Sequence, residues 1–312
     1  MDRPVLFRGL PIFLLALLLL FPGLSVQGAS QGLLLWANVV LPTLAPFLIC
    51  TQCVRAADGV RLLMRPFYPV LGRVFGLSLQ GSYILLCGLL CGYPLGAKLC
   101  GDAWEQGELS DAEAQYLLAI CNHPSPMFLL GYVSGQLPQP VPAWVLLAGL
   151  YLPILPLSWL AASRYRFQKG NPAALPGQGA RLSLDRILLS SAETMVLIGG
   201  YMMLFSILAL WLRQLTFLPG QVQALLAGAA EMTTGIHQIC QSFPGRSAVP
   251  PAVAAAAFGG VSGICQTRGV LGTGRSMENA GWSIRHYVLW KLLHAVLTWG
   301  ALTLLLQALP LR

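Results

Sequence analysis

Nine apolar segments, each close to the length of a bilayer-spanning helix, divide the chain, and the polar residues are gathered between them. They cover about 9–26, 32–54, 79–99, 116–135, 141–162, 187–212, 220–240, 248–267 and 284–309. A helix needs ~20 apolar residues to cross the hydrocarbon core. Inside that core every backbone N–H and C=O must be satisfied by protein, so repeated segments of this kind dictate helices. The expected fold is an all-α polytopic membrane protein embedded in a lipid bilayer. Composition agrees: 10% of the 312 residues are charged and 56% are hydrophobic, against ~25% charged in ordinary soluble domains.

The same distribution narrows the function. A net charge of +8 invites a nucleic-acid reading, but the basic residues sit in short loops between apolar segments. The positive-inside bias produces that pattern, so no nucleic-acid partner is expected. The eight cysteines fall mostly inside or beside apolar segments. Cys50 and Cys53 form a C-x-x-C with no second pair at zinc spacing, and the cysteines read as packing residues rather than metal ligands. There is no G-x-S-x-G, no Walker A loop and no H-E-x-x-H. The chain is read as a non-enzyme, with no catalytic residues, no metal and no cofactor.

Basic clusters set the crossings. One holds Arg55, Arg61, Arg65 and Arg73; the second holds Arg164, Arg166, Lys169, Arg181 and Arg186; the third holds Arg268, Arg275 and Arg285. With all three cytoplasmic, three apolar segments lie between the first and second clusters. Three full crossings cannot return the chain to its starting side, so one segment enters and leaves by the same face. The segment 79–99, interrupted by Gly81, Gly88, Gly92, Pro94 and Gly96, is the candidate. In the second half the candidate is 220–240. The halves are then mirror images in the membrane, the inverted-repeat plan of many secondary transporters. The expected division is an N-terminal helix over 1–31, a first repeat over 32–163, a cytoplasmic linker over 164–186 and a second repeat over 187–312. A cleaved signal peptide ending near Gly28-Ala29-Ser30 is the alternative for the N-terminus.

Four stretches place polar groups inside apolar segments. The first is Gly92-Tyr93-Pro94-Leu95-Gly96-Ala97-Lys98. A lysine at the centre of a span costs ~2.5–3.5 kcal/mol, so Lys98 is either functional or sits at the membrane edge beside Asp102. The second is Asn122-His123-Pro124-Ser125-Pro126, whose prolines free carbonyls of the preceding turn for a ligand. Ahead of it, Ser110-Asp111-Ala112-Glu113 reads as a capping box. The third comprises Glu193 and Glu231-Met232-Thr233-Thr234-Gly235. Membrane carboxylates bind a coupling cation, relay protons or pair with a base, although Glu193 also suits an interfacial position. The fourth is Phe258-Gly259-Gly260-Val261-Ser262-Gly263-Ile264-Cys265-Gln266, with small-residue helix packing as its alternative. The candidate substrate-binding residues are therefore Gly92, Tyr93, Pro94, Gly96, Lys98, Asn122, Ser125, Ser262 and Gln266. Glu193, Glu231, Thr233 and Thr234 are the candidates for coupling or ion pairing.

These strings carry a resemblance. Together with Leu41-Pro42-Thr43-Leu44-Ala45-Pro46-Phe47, they are similar, in order and over about 32–300, to the YlbJ family of sporulation integral membrane proteins. That family belongs to the wider nucleoside-recognition (Gate) group. His123-Pro124 departs from the small polar residues expected there. The resemblance implies a fold similar to the concentrative nucleoside transporters, with inverted repeats and re-entrant hairpins. It implies transport of dipicolinic acid during sporulation, across the outer forespore membrane of mother-cell origin. Dipicolinate is a small planar dianion, so its site needs positive potential, which Lys98 and the N–H ends of broken helices would supply. On this reading Lys98→Ala and Glu231→Gln each abolish transport. A nucleoside or other organic-solute carrier, and a non-transporting sporulation membrane factor, are the alternatives. A homo-oligomer is compatible with all three.

Overall fold

A computed structural model describes residues 5–165, 183–271 and 283–308. Most of the expected linker, with Arg166, Lys169 and Arg181, lies outside the described residues, as does Arg275. Among the described residues every regular element is helical.

The first half begins with α1 (Val5–Leu20) and α2 (Pro22–Leu35). Pro22 stands in the first turn of α2, where a missing N–H leaves no helical bond unmade. The first helix boundary therefore falls at Phe21, not near residue 31. From α2 the chain runs through a π-helical turn, Trp36–Val40, into α3 (Leu41–Ala56), giving 35 residues of continuous helix. Pro42 follows that wider turn directly, and a wider turn relieves the carbonyl that Pro42 cannot serve. The short helices α4 (Val60–Met64) and α5 (Tyr68–Phe75) carry Arg61 and Arg73. Gly76, at φ +71°, ends α5, and the chain turns by 98° into α6 (Leu79–Cys91).

α6 folds back on α7 (Leu95–Glu105) as a helical hairpin, joined at residues 92–94. Ser110 caps α8 (Asp111–Ile120) by accepting the Glu113 N–H at 3.2 Å. The reciprocal half of the capping box is replaced by a longer reach. Glu113 Oε1 accepts the Ser78 N–H at 2.8 Å, tying α8 to the start of α6. Helix resumes at Pro126 and continues through a π-helical stretch, Phe128–Val133, into α9 (Ser134–Gln136). The helices α10 (Ala143–Tyr151) and α11 (Ile154–Tyr165), joined at Leu152-Pro153, complete this half.

The second half opens with the long α12 (Leu184–Arg213). A hairpin of α13 (Gly220–Ala230) and α14 (Met232–Ser242) follows. Then come a 3₁₀ turn (Gly245–Ala248), α15 (Val249–Phe258) and α16 (Gly260–Val270). The last helix is α17 (Ile284–Ala308). Both halves thus run in one order: long helix, broken hairpin, broken span, final span. Among the described residues, five helices are long and apolar enough to cross a bilayer: Pro22–Ala56, Ala143–Tyr165, Leu184–Arg213, Gly245–Val270 and Ile284–Ala308.

Small residues set how closely these helices approach. Gly28 and Gly32 of α2 lie against the α12 backbone at Ile207 and Met202. Gly88 and Gly96 face each other across the first hairpin, both against the Cys121 carbonyl. Gly228 and Gly235 meet backbone to backbone across the second. Without side chains at these positions, dispersion contacts and backbone packing can hold the helices where apolar burial gives no drive. Two cores flank the breaks, one centred on α6, α7 and α8, the other on α10, α14 and α15. Tyr151 packs against both, and its hydroxyl donates to Pro124 O at 2.7 Å.

Candidate functional site

Helical order stops at four places, each for a local reason. Gly92 adopts φ +91°, a conformation open to glycine, and Pro94 follows two residues later. α8 ends at Ile120, because Pro124 and Pro126 have no N–H to continue it; Ser125 Oγ then accepts the Phe128 N–H at 3.1 Å to restart the helix. Glu231 is extended (φ −142°, ψ 120°) and caps α14. Gly259 and Gly260, at φ +85° and +70°, separate α15 from α16.

All four breaks open on one cavity of ≈ 40 Å³. Gly92, Tyr93, Ser125, Glu231, Gly259 and Gln266 are in its wall, closed by Thr43 of α3 and by Ile198 and Met202 of α12. Two of the expected re-entrant segments, 79–99 and 220–240, are thus broken hairpins whose breaks reach the same point as the breaks at 122–125 and 259–260. The breaks themselves are packed within the protein: Tyr93, Ser125 and Glu231 are all buried. Backbone freed from helices is tolerated at membrane depth in such a setting.

Glu231 is buried. Its Oε2 accepts the Thr233 hydroxyl and, at 2.7 Å, the Thr234 N–H. Thr234 Oγ1 lies 3.1 Å from Ser206 Oγ of α12. Thr233 and Thr234 therefore hold the carboxylate rather than line the cavity. Ser262 is likewise behind the wall, accepting at 3.0 Å from Gln266 Nε2. Pro94 shapes the start of α7 and Gly96 packs on Cys121; neither lines the cavity. Gly259 has no room for a Cβ beside the Tyr93 hydroxyl, which donates to Ala256 O. Gly263 has open space around its Cα, so helix packing does not explain it.

Two expected site residues are placed elsewhere. Lys98 is on α7 one turn beyond the break, and its ammonium pairs with Asp102 at 3.6 Å. Helical phase carries it away from the cavity wall. Glu193, on α12, is exposed on the outer surface. It does not line the cavity.

The buried base that does approach the site is Lys291 of α17, which the sequence reading passed over. Its ammonium donates to Asn122 O at 2.9 Å and sits 4.7 Å from the centre of the Tyr93 ring. Asn122 Nδ2 donates to Tyr287 Oη at 2.7 Å and to Thr267 Oγ1 at 2.9 Å, joining the second break to α17 and α16. His123 stacks edge-on against His294, ring centres 4.3 Å apart, and His294 Nε2 lies 2.9 Å from Leu150 O. A lysine within the apolar segment 284–309 was the available signal. No glycine or proline marks α17 around it, so nothing pointed to a site.

Among the described residues no group of three or more His, Cys, Asp or Glu is arranged to hold a metal ion. No family model and no solved structure matches the chain. Over 221 residues it is 30% identical to the sporulation integral membrane protein YlbJ of Bacillus subtilis (strain 168), covering 63% of this chain and 53% of that protein. The chain spans about half the length of that relative. Its membrane-length helices and this likeness together make it an integral membrane protein similar to the sporulation membrane protein YlbJ.

Proposed function

We propose that the chain carries a small organic anion, dipicolinic acid, across a membrane of a developing spore, the outer forespore membrane. The observation that supports this most is the meeting of four helix breaks, two from each half, on a single small cavity. Broken helices from paired halves are how secondary transporters build a midplane site. The matching order of elements in the two halves supports an inverted repeat, and the hairpins α6–α7 and α13–α14 would enter from opposite faces. The likeness to a sporulation membrane protein supports the setting. Assignment to the nucleoside-recognition group, and the absence of enzymatic chemistry, belong to the same proposal.

At ≈ 40 Å³ the cavity has room for about three waters. That is too small for an organic solute, and passage requires the breaks to move apart. Glu231 in its wall favours a second reading, a neutral hydroxylated solute such as a nucleoside, whose hydroxyls a carboxylate would accept. Uptake of labelled dipicolinate and labelled uridine into membrane vesicles carrying the protein separates the two. Dipicolinate uptake above vesicles without the protein is the expected result; uridine uptake alone replaces it with the nucleoside reading.

A further inference from the structure

Lys291, His294 and Thr298 repeat at i, i+3 and i+7 on α17 and are all buried, so one face of this helix is polar inside the protein. Across from it lies the second break. The described residues leave several buried polar atoms there without a well-formed hydrogen bond: both ring nitrogens of His123, Asn122 Oδ1, His294 Nδ1 and Thr298 Oγ1. Lys291 uses one of its three donors on the Asn122 carbonyl, and it also lies over the face of Tyr93. A carbonyl and an aromatic ring attract an ammonium without cancelling its charge. The salt bridges among the described residues join Arg55 to Glu108 and Lys98 to Asp102, so no described carboxylate pairs with Lys291.

Tyr93 is the partition. One side of it is the wall of the cavity, and Lys291 covers its ring. Asn122, whose carbonyl Lys291 holds, is three residues before Ser125 in the same wall. The cavity itself presents a carboxylate and neutral groups, an arrangement that repels an anion unless a cation stands close behind it.

We propose that Lys291 is the anchor for a carboxylate of the solute, reached when Tyr93 moves aside, with the buried polar side chains of His123 and Asn122 beside it completing the binding tract. This rests on the transport reading above and moves the positive charge from Lys98 to α17. The solute class is an aromatic or small organic carboxylate, and the unpaired ammonium awaits it in the closed state.

The test compares pyridine-2,6-dicarboxylate with its neutral diamide, by thermal shift of the purified protein and by flux into proteoliposomes. Wild type prefers the dicarboxylate, and Lys291→Met lowers that preference by about tenfold or more, the worth of one hydrogen bond to a charged group. Lys291→Arg keeps it. Lys291→Gln, which retains a donor for the Asn122 carbonyl, carries the same comparison should the Met variant not fold. A preference unchanged in the Met or Gln variant overturns the assignment. If wild type moves neither compound, the transport reading falls, and benzoate as a simple carboxylate probe decides the Lys291 site. A benzoate thermal shift present in wild type and lost in the variant upholds the site; no shift, or one that survives in the variant, overturns it.

Discussion

The carboxylate of Glu231 lines the cavity and also caps α14, accepting the Thr233 hydroxyl and the Thr234 N–H. Those two roles separate by substitution. Glu231→Gln keeps an acceptor for the Thr234 N–H but removes the charge proposed to take up a coupling cation or proton, so transport should be lost while the thermal transition moves little. Glu231→Ala removes the cap as well and should cost a further ~1 kcal/mol of stability, read from the melting temperature in detergent. Lys98→Ala should leave flux at the wild-type level, because Lys98 does not line the cavity and its ammonium is already paired with Asp102. This reverses the expectation drawn from the glycine-rich string. Polar residues inside apolar segments were legible when a helix-breaker stood beside them: Tyr93, Ser125, Glu231 and Gln266 are all of that kind, and all reach the cavity. Lys98 misled because one helical turn past a break already points elsewhere. Lys291 was hidden because its helix is unbroken, and a face of a straight helix has no sequence mark until its neighbours are known.

The two hairpins owe their tight closure to glycine pairs. A Cβ at Gly88 or Gly96 would run into the Cys121 carbonyl, which belongs to the next break. Gly88→Ala should therefore lower stability by about 1–3 kcal/mol, the cost of overpacking a filled interior. Gly300→Ala, in the interior of α17 with nothing near its Cα, should hold or raise stability by up to ~1 kcal/mol. Thermal melts of the two variants side by side check both directions. That hairpins exist at 79–99 and 220–240 followed from counting crossings between basic clusters. Which residues would break them was not legible: of the five interrupting residues read in 79–99, Gly81, Gly88 and Gly96 lie inside helices and only Gly92 and Pro94 stand at the break. What could not be read was the first helix boundary, since the run 9–26 is apolar throughout and only Pro22 divides it. Nor could the diverted side chain of Glu113 be foreseen, because its partner, the Ser78 N–H, is distant in sequence.

In the whole molecule, two similarly ordered halves meet at one small cavity, and the proposed inverted repeat sets them oppositely in the membrane. Cysteines introduced at Gln106 and Thr216, with the native cysteines replaced, should react with a membrane-impermeant maleimide from opposite faces. Reaction of both from one face would remove the inverted arrangement while leaving the breaks in place. The cavity's small volume in turn predicts that transport saturates and is slow on the scale of channels, since each solute must wait for the breaks to part. The central claim is that the four breaks form a passage for an organic anion. Its most direct test is dipicolinate flux into proteoliposomes of wild-type protein and of Glu231→Gln, with and without an imposed pH or sodium gradient. The account predicts saturable flux in wild type that is lost in the variant. Flux in both no greater than in protein-free liposomes would contradict it.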